Sequence, residues 1–293
     1  MTNLIVNNMQ ESSDCKSSEK IERIPRIIHY CWMSNDPFPP LVQKCIDSWK
    51  KFCPDYQIIK WDSSNVDLDY CPFIREAYDA KRWAFVSDVV RLYSIVNYGG
   101  FYLDSDVEIL KPLDDLLKLP AVTGFECGSE YALAMNSMAC EKGHPAFVEF
   151  LKAYEKIHFR RIDGTFNQTP IPQRITKICL KYGLVCDNSE QTLSNGLHIL
   201  PQNYLSPKNW LNGAINITPN TYMIHHFTGE WLKTDERDYY DKMYNKISSV
   251  LHISGFIPKK IASVMTLFKF YGIFAVFCHI CRFIGRKLGI PQK

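Results

Sequence analysis

The sequence predicts an α/β domain built on a mostly parallel sheet, and three observations predict it. A strand pattern, an amphipathic helix and a second strand follow one another between Arg26 and Trp61; that order needs a right-handed crossover and hence a parallel pair. An almost wholly apolar helix, Ala84 to Tyr98, runs through Gly99-Gly100 into the short strand Phe101-Tyr102-Leu103. The composition is that of an ordinary globular chain: 293 residues, 46% apolar and 22% charged.

Taken in order, residues 1–22 are polar and serine-rich and read as a mobile arm. Arg26-Ile27-Ile28-His29-Tyr30-Cys31-Trp32 reads as a buried strand, and Asn35-Asp36-Pro37 with Pro39-Pro40 as a loop. Leu41, Cys45, Ile46, Trp49 and Phe52 recur at helical spacing, which places a helix from about Pro40 to Phe52. Tyr56 to Trp61 is the second strand. In the helix from Ala84 to Tyr98, Ser87, Asp88, Arg91 and Ser94 form one narrow polar stripe on an otherwise apolar surface. Pro145 to Tyr154 and Pro172 to Tyr182 read as further helices, and Asn195 to Ser206 and Thr221 to Phe227 as strand and loop. The domain is expected to span 23–235.

The region 236–293 is expected to be a C-terminal helical tail, basic and amphipathic. Residues 261–284 are mainly apolar, are flanked by Lys259, Lys260, Arg286 and Lys287, and carry Lys269 and Arg282 within. A membrane span, a helix packed on the domain and an interfacial helix are the three readings. The flanking cations and the aromatics Phe268, Phe270, Tyr271, Phe274 and Phe277 favour the interfacial one. An anionic membrane surface is thus an expected partner through residues 259–290.

Composition narrows function. A net charge of +3 gives no broad electrostatic footing for nucleic acid. Aromatic residues at 13% suit a core and suit stacking on sugars or bases. The chain has 11 cysteines and opens on no apolar leader, so free thiols in a reducing cytosol are expected. Cys278 and Cys281 have no matching second pair and do not read as a zinc site.

The chemistry gathers at Asp104-Ser105-Asp106, two carboxylates at the end of a buried strand. Like charges that close repel, and burial sharpens the conflict. A divalent cation relieves it, and Mg2+ or Mn2+ would keep open positions for phosphate oxygens. In open parallel sheets ligands bind at the strands' carboxyl ends. Asp88 and Arg91, three apart on the preceding helix, share one face. Either they form a simple intrahelical ion pair, or they meet sugar hydroxyls and a diphosphate. A polar turn for Asp104 and Asp106, and a core role for Trp32, are the bland alternatives.

Together, Ile24 to Trp32, Ala84 to Tyr93 and Asn97 to Glu108 resemble the DXD-containing glycosyltransferases related to fungal initiating mannosyltransferases. That family includes many bacterial capsule and lipopolysaccharide glycosyltransferases, and the large glucosylating toxins share its skeleton. The strong block covers about 24–117, with weaker similarity to about 232. The resemblance implies a GT-A fold, a nucleotide-sugar donor, a glycan or lipid-linked glycan acceptor and retention of anomeric configuration. It implies catalytic roles for Asp88, Arg91, Asp104 and Asp106. It implies that Trp32 stacks on the base, that Asp88 holds donor hydroxyls, that Arg91 meets sugar or diphosphate and that Tyr102 lines the pocket. Asp104 would contact ribose or sugar, and Asp106 would ligate Mn2+ or Mg2+ directly, with Asp104 close by. His225-His226-Phe227-Thr228-Gly229-Glu230-Trp231 resembles the late His-x-x-Gly segment of related enzymes; that register makes His226 a metal ligand and Trp231 a cap on the donor. No carboxylate stands out as a nucleophile, and Asn167-Gln168 lies where a sugar-facing amide could sit. With the free thiols and the basic, apolar tail, the expected setting is a peripheral enzyme at the cytoplasmic face of a membrane, elongating a surface or lipid-linked glycan. A hydrolase or pyrophosphorylase acting on nucleotide diphosphates, and an inactive carbohydrate-binding relative, are the rival readings.

Overall fold

The computed structural model describes residues 21–126, 132–210, 213–228, 234–251, 257–266 and 269. Nearly all of the expected N-terminal arm, the tail from 270 onward and the Cys278–Cys281 pair lie outside the described residues.

Strand β1 (Ile27–Cys31), helix α1 (Pro40–Phe52) and strand β2 (Gln57–Trp61) form the expected crossover unit, and β1 pairs in parallel with β2. Two helices follow, α2 (Pro72–Asp79) and α3 (Trp83–Tyr98), then β3 (Gly100–Leu103) and the short β4 (Val107–Ile109). Strands β5 (Ala121–Glu126) and β6 (Ala132–Cys140) precede helices α4 (Pro145–Glu155) and α5 (Ile171–Cys179). The described chain then runs through β7 (Gln191–Thr192), β8 (His198–Leu200), α6 (Gln202–Leu205), β9 (Met223–His225) and α7 (Thr234–Leu251).

Seven strands make one sheet in the order β2-β1-β3-β6-β5-β8-β7. β1 is parallel to β2 and β3, and β8 to β5; β6 is antiparallel to β3 and β5, and β7 to β8. Five of the seven strands therefore run the same way, the mostly parallel α/β sheet expected of a GT-A fold. β4 and β9 form a separate antiparallel pair beside it.

The two faces of the sheet take different helices, and the alternation of β3 shows how. Phe101 and Leu103 pack with Val42, Cys45, Ile46 and Trp49 of α1, whereas Tyr102 joins the cluster built by α2, α3, α4 and α5. Helix α3 is buried almost all round. Val86, Val89, Val90, Leu92 and Ile95 are each inaccessible to solvent, and burying such a side chain contributes about 1.5–3 kcal/mol. Its end is set by Gly99 and Gly100, at φ of 71° and 98°. A Cβ on Gly100 would lie 2.6 Å from the carbonyl oxygen of Ile27. Only glycine lets β3 start this close to β1, and that close start delivers Asp104 to the rim.

His29, fully buried on β1, is locked between two partners. One ring nitrogen, Nε2, donates to the carbonyl of Gly99 at 2.9 Å, and Nδ1 accepts from the indole of Trp61 at 3.1 Å. Burial lowers its pKa from 6.5 to about 4, against a smaller upward pull from the Gly99 carbonyl. In the unfolded chain the ring takes up a proton first as pH falls, so the native state loses stability between about pH 6.5 and 4. The full effect is about 3 kcal/mol, and it is fully present as stability above pH 6.5. Urea titrations of the wild type and His29→Gln at pH 7 and pH 4 measure this: the stability advantage of the wild type is expected to shrink by about that amount. An advantage independent of pH would refute the assignment.

Candidate active site

The site grows from the carboxyl ends of β1 and β3, which are parallel and so open on the same edge. Trp32 follows β1 at that edge. It is half-buried, packs edge-on against Phe38 at 5.2 Å and donates its indole N–H to the carbonyl of Asp36 at 3.1 Å. Asp104 follows β3, its N–H donating to the carbonyl of Asn136 on β6 at 2.8 Å.

Arg91 is the hub. Its Nη2 lies 3.1 Å from Asp104 Oδ1 and 3.5 Å from Asp88 Oδ1. The same guanidinium donates to the carbonyl of Met135 at 2.5 Å and to Ser87 Oγ at 3.0 Å, and it sits 5.1 Å over the ring of Tyr102. Only 7% of its side chain meets solvent. Burial disfavours the charge, but Asp104 leads the groups that outweigh this, and the pKa is raised. Burial pushes the Asp88 carboxyl up to about 7, in spite of Arg91, and raises Asp104 as well. The polar stripe read on this helix is thus a buried ionic bridge from α3 to the end of β3, not a solvated face.

Asp106 has its own partners. His225 Nε2 lies 3.1 Å from Oδ1, and Thr228 donates to Oδ2 through its N–H at 2.9 Å and its hydroxyl at 3.0 Å. Burial works against the charge of Asp106, yet His225 and Thr228 outweigh it and hold the carboxyl below the ordinary range. Burial likewise opposes a charged His225, and Asp106 more than compensates, raising the imidazole pKa. Phe227, a non-glycine residue at φ 55°, supplies the sharp turn after β9 that aims Thr228 back at Asp106.

The structure therefore brings together Asp88, Arg91, Tyr102, Asp104 and Asp106. It separates the two histidines. In the antiparallel pairing of β4 with β9, Val107 faces His225. His225 turns to Asp106, while the next residue, His226, turns to Glu108 at 2.9 Å, a carboxylate also held by Lys44. The histidine beside the DXD pair is His225, not the expected His226, because neighbouring strand residues point to opposite sides. Trp231 lies outside the described residues. Asn167 does not reach the rim cluster; its Oδ1 accepts from Arg174 at 2.9 Å and from the Thr169 hydroxyl at 3.1 Å. Sequence reasoning passed over Thr228, Asn136 and Glu126. For Thr228 the signal was its place two residues after the histidine pair; Asn136 and Glu126 carried none.

Among the described residues, no three His, Cys, Asp or Glu side chains stand at metal-binding spacing. The donor set nevertheless has the right chemistry for Mg2+ or Mn2+: two adjacent carboxylates with an imidazole, at a strand end.

Residues 39–122 match the family model described as a glycosyltransferase sugar-binding region containing a DXD motif. The chain is 31% identical over 150 residues to inositol phosphoceramide mannosyltransferase 3 of Schizosaccharomyces pombe, covering 48% of this chain and 40% of that protein. It is 31% identical over 149 residues to mannosyl phosphorylinositol ceramide synthase CSH1 of Saccharomyces cerevisiae, covering 47% and 36%. The match thus spans well under half the length of either relative. A solved structure of a glycosyltransferase involved in the glycosylation of the major capsid of PBCV-1 aligns over 74% of this chain and 98% of its own, at 13% identity and a TM-score of 0.40. Asp88, Arg91, Tyr102, Asp104 and Asp106 all lie within the stretch that matches the sugar-binding region of the DXD-containing glycosyltransferases.

Proposed function

We propose that this chain is a metal-dependent, retaining glycosyltransferase that moves a sugar from a UDP- or GDP-linked donor to a glycan or lipid-linked glycan. One observation carries the reading: a fully charged guanidinium, Arg91, is buried between Asp88 and Asp104 at the carboxyl edge of the sheet, beside Asp106. A purely structural core has little reason to keep such a knot, since replacing buried ions with apolar groups is often neutral or stabilising.

Breaking the bond between sugar and phosphate leaves negative charge on the diphosphate. Asp106 and Asp104 would hold the divalent cation, which lowers the cost of that charge when bound. Arg91, already aimed at the rim, stabilises the departing diphosphate without reorganising. Asp88 accepts hydrogen bonds from sugar hydroxyls, Tyr102 lines the pocket beneath Arg91, and Trp32 offers a ring face to the base. The reading is tested by incubating the protein and Mn2+ with a panel of UDP- and GDP-sugars. Slow release of the nucleotide diphosphate from one donor is expected; absence of both release and binding for every donor would overturn the reading.

The partner we propose for the far side of the site is an anionic membrane surface at the cytoplasmic face, with synthesis of a surface glycan as the setting. Trp210 (40% exposed), Ile215, Ile217, Ile257, Ile261 and Met265 all meet solvent. Lysines stand among them: Lys259 donates to the Trp210 carbonyl, and Lys208 to the carbonyl of His226 at 2.5 Å, so the patch begins next to the site. Apolar side chains among cations are what a lipid headgroup region receives. No described helix is long and apolar enough to cross a membrane. In flotation assays the full chain is expected to bind vesicles of phosphatidylcholine with phosphatidylserine, and not phosphatidylcholine alone. The triple variant Trp210→Ser, Ile215→Ser, Ile217→Ser is expected to lose on the order of tenfold in binding; unchanged flotation would remove this surface from the reading.

A further inference from the structure

Glu126 ends β5, two strands from Asp104 and on the same edge of the sheet. Strand β6 runs between them and joins them through one residue, Asn136. The Asn136 carbonyl receives the N–H of Asp104, and its side-chain amide donates to Glu126 Oε2 at 3.1 Å. Ser137 donates its hydroxyl to Asn136 Oδ1 at 2.8 Å, which fixes the amide with its N–H toward Glu126. The other carboxylate oxygen of Glu126 has no hydrogen-bond partner among the described residues. His225, held by Asp106 on the same rim, attracts this carboxylate electrostatically. His225 uses Nε2 on Asp106, while its Nδ1 is buried with no hydrogen-bond partner among the described residues.

A buried ring nitrogen without a partner costs about 1–3 kcal/mol. The cost vanishes if a ligand bridges it to the open oxygen of Glu126. A hydroxyl group is suited to that position, because it donates its proton to the carboxylate and accepts from the Nδ1–H of the ring with a lone pair. Water can do this; so can a polyol. Since the pair lies beside the carboxylates proposed for the diphosphate end of the donor, the hydroxyls nearest to hand are those of the sugar being moved.

Resting on the glycosyltransferase reading, we infer that Glu126 and Nδ1 of His225 form a grip for hydroxyls of the transferred glycosyl group, with Glu126 a specificity-determining residue. Asn136 is its positioning residue. The grip explains why a carboxylate is held rigidly at one oxygen and left open at the other.

The test compares two ligands on the full chain, with Mn2+ present. One is UDP or GDP alone; the other is whichever matching sugar nucleotide the wild type binds best. For Glu126→Ala, affinity for the sugar nucleotide is expected to fall on the order of tenfold, while affinity for the bare diphosphate stays within about twofold. Glu126→Gln, which keeps the shape and one acceptor, is expected to lose less. A merely structural role would weaken both ligands together, and that result overturns the inference. So does an unchanged preference for the sugar form over the bare diphosphate in Glu126→Ala. A wild type that binds UDP or GDP but gains nothing from the sugar also refutes it. A wild type that binds neither nucleotide nor sugar nucleotide defeats the glycosyltransferase reading itself, and the grip with it.

Discussion

Asp106→Asn is expected to lower metal-stimulated release of nucleotide diphosphate by on the order of 10²–10³-fold, the scale seen when one electrostatic stabiliser of a developing charge is removed. The substitution keeps shape. The remaining carbonyl oxygen can still accept from the N–H and hydroxyl of Thr228, which hold Oδ2 at 2.9 and 3.0 Å. The new amide N–H2 faces Nε2 of His225, which accepts as a neutral ring. What disappears is the negative charge on the proposed metal ligand. The fold is therefore expected to survive, as judged by circular dichroism and thermal melting, while Mn2+ no longer accelerates the reaction. A variant with undiminished turnover would remove Asp106 from the chemistry.

Arg91→Ala is expected to act on the fold first, costing about 3–5 kcal/mol. Nearly all of its side chain is buried, and it is the cation facing both Asp88 and Asp104. Its removal takes the directly paired cation from buried Asp88 and half-buried Asp104, and a donor from the Met135 carbonyl. Alanine also leaves a void above Tyr102. Urea unfolding measures the loss: the midpoint is expected to fall with the slope unchanged. Arg91→Met tests the electrostatic part by restoring much of the volume without the charge. If it matched the wild type in stability, the ion pairs would be incidental to the fold. Arg91→Lys keeps the charge but not the fork of donors, so it cannot meet Ser87, Met135 and Asp104 together.

The chain's local grammar was legible to a good depth. The strand, helix, strand order from Arg26 to Trp61 and the apolar helix ending at Gly99-Gly100 are where periodicity places them. Helix α2 was missed: it is two turns long, Pro72–Asp79, too short for its apolar spacing to stand out. The stretch from Ala121 to Cys140 was read only loosely. Its strands β5 and β6 are buried on both faces, so they lack the alternation that marks a half-exposed strand.

The sequence by itself determined the kinds of element, the exit of β3 into Asp104-Ser105-Asp106 and the sharing of one helix face by Asp88 and Arg91. These follow from spacing along a few turns or a few strand residues, which short-range geometry governs. Only the tertiary structure decided that Arg91 bridges two carboxylates, that His225 rather than His226 meets Asp106, and that Glu126 stands on the same rim. Each of these depends on the pairing of segments far apart in the chain. The pairing of β9 with β4 brings both histidines to this corner, and the turn before β4 decides that the Asp106 side chain meets His225 while His226 reaches Glu108. No local pattern carries that pairing; the packed structure sets it.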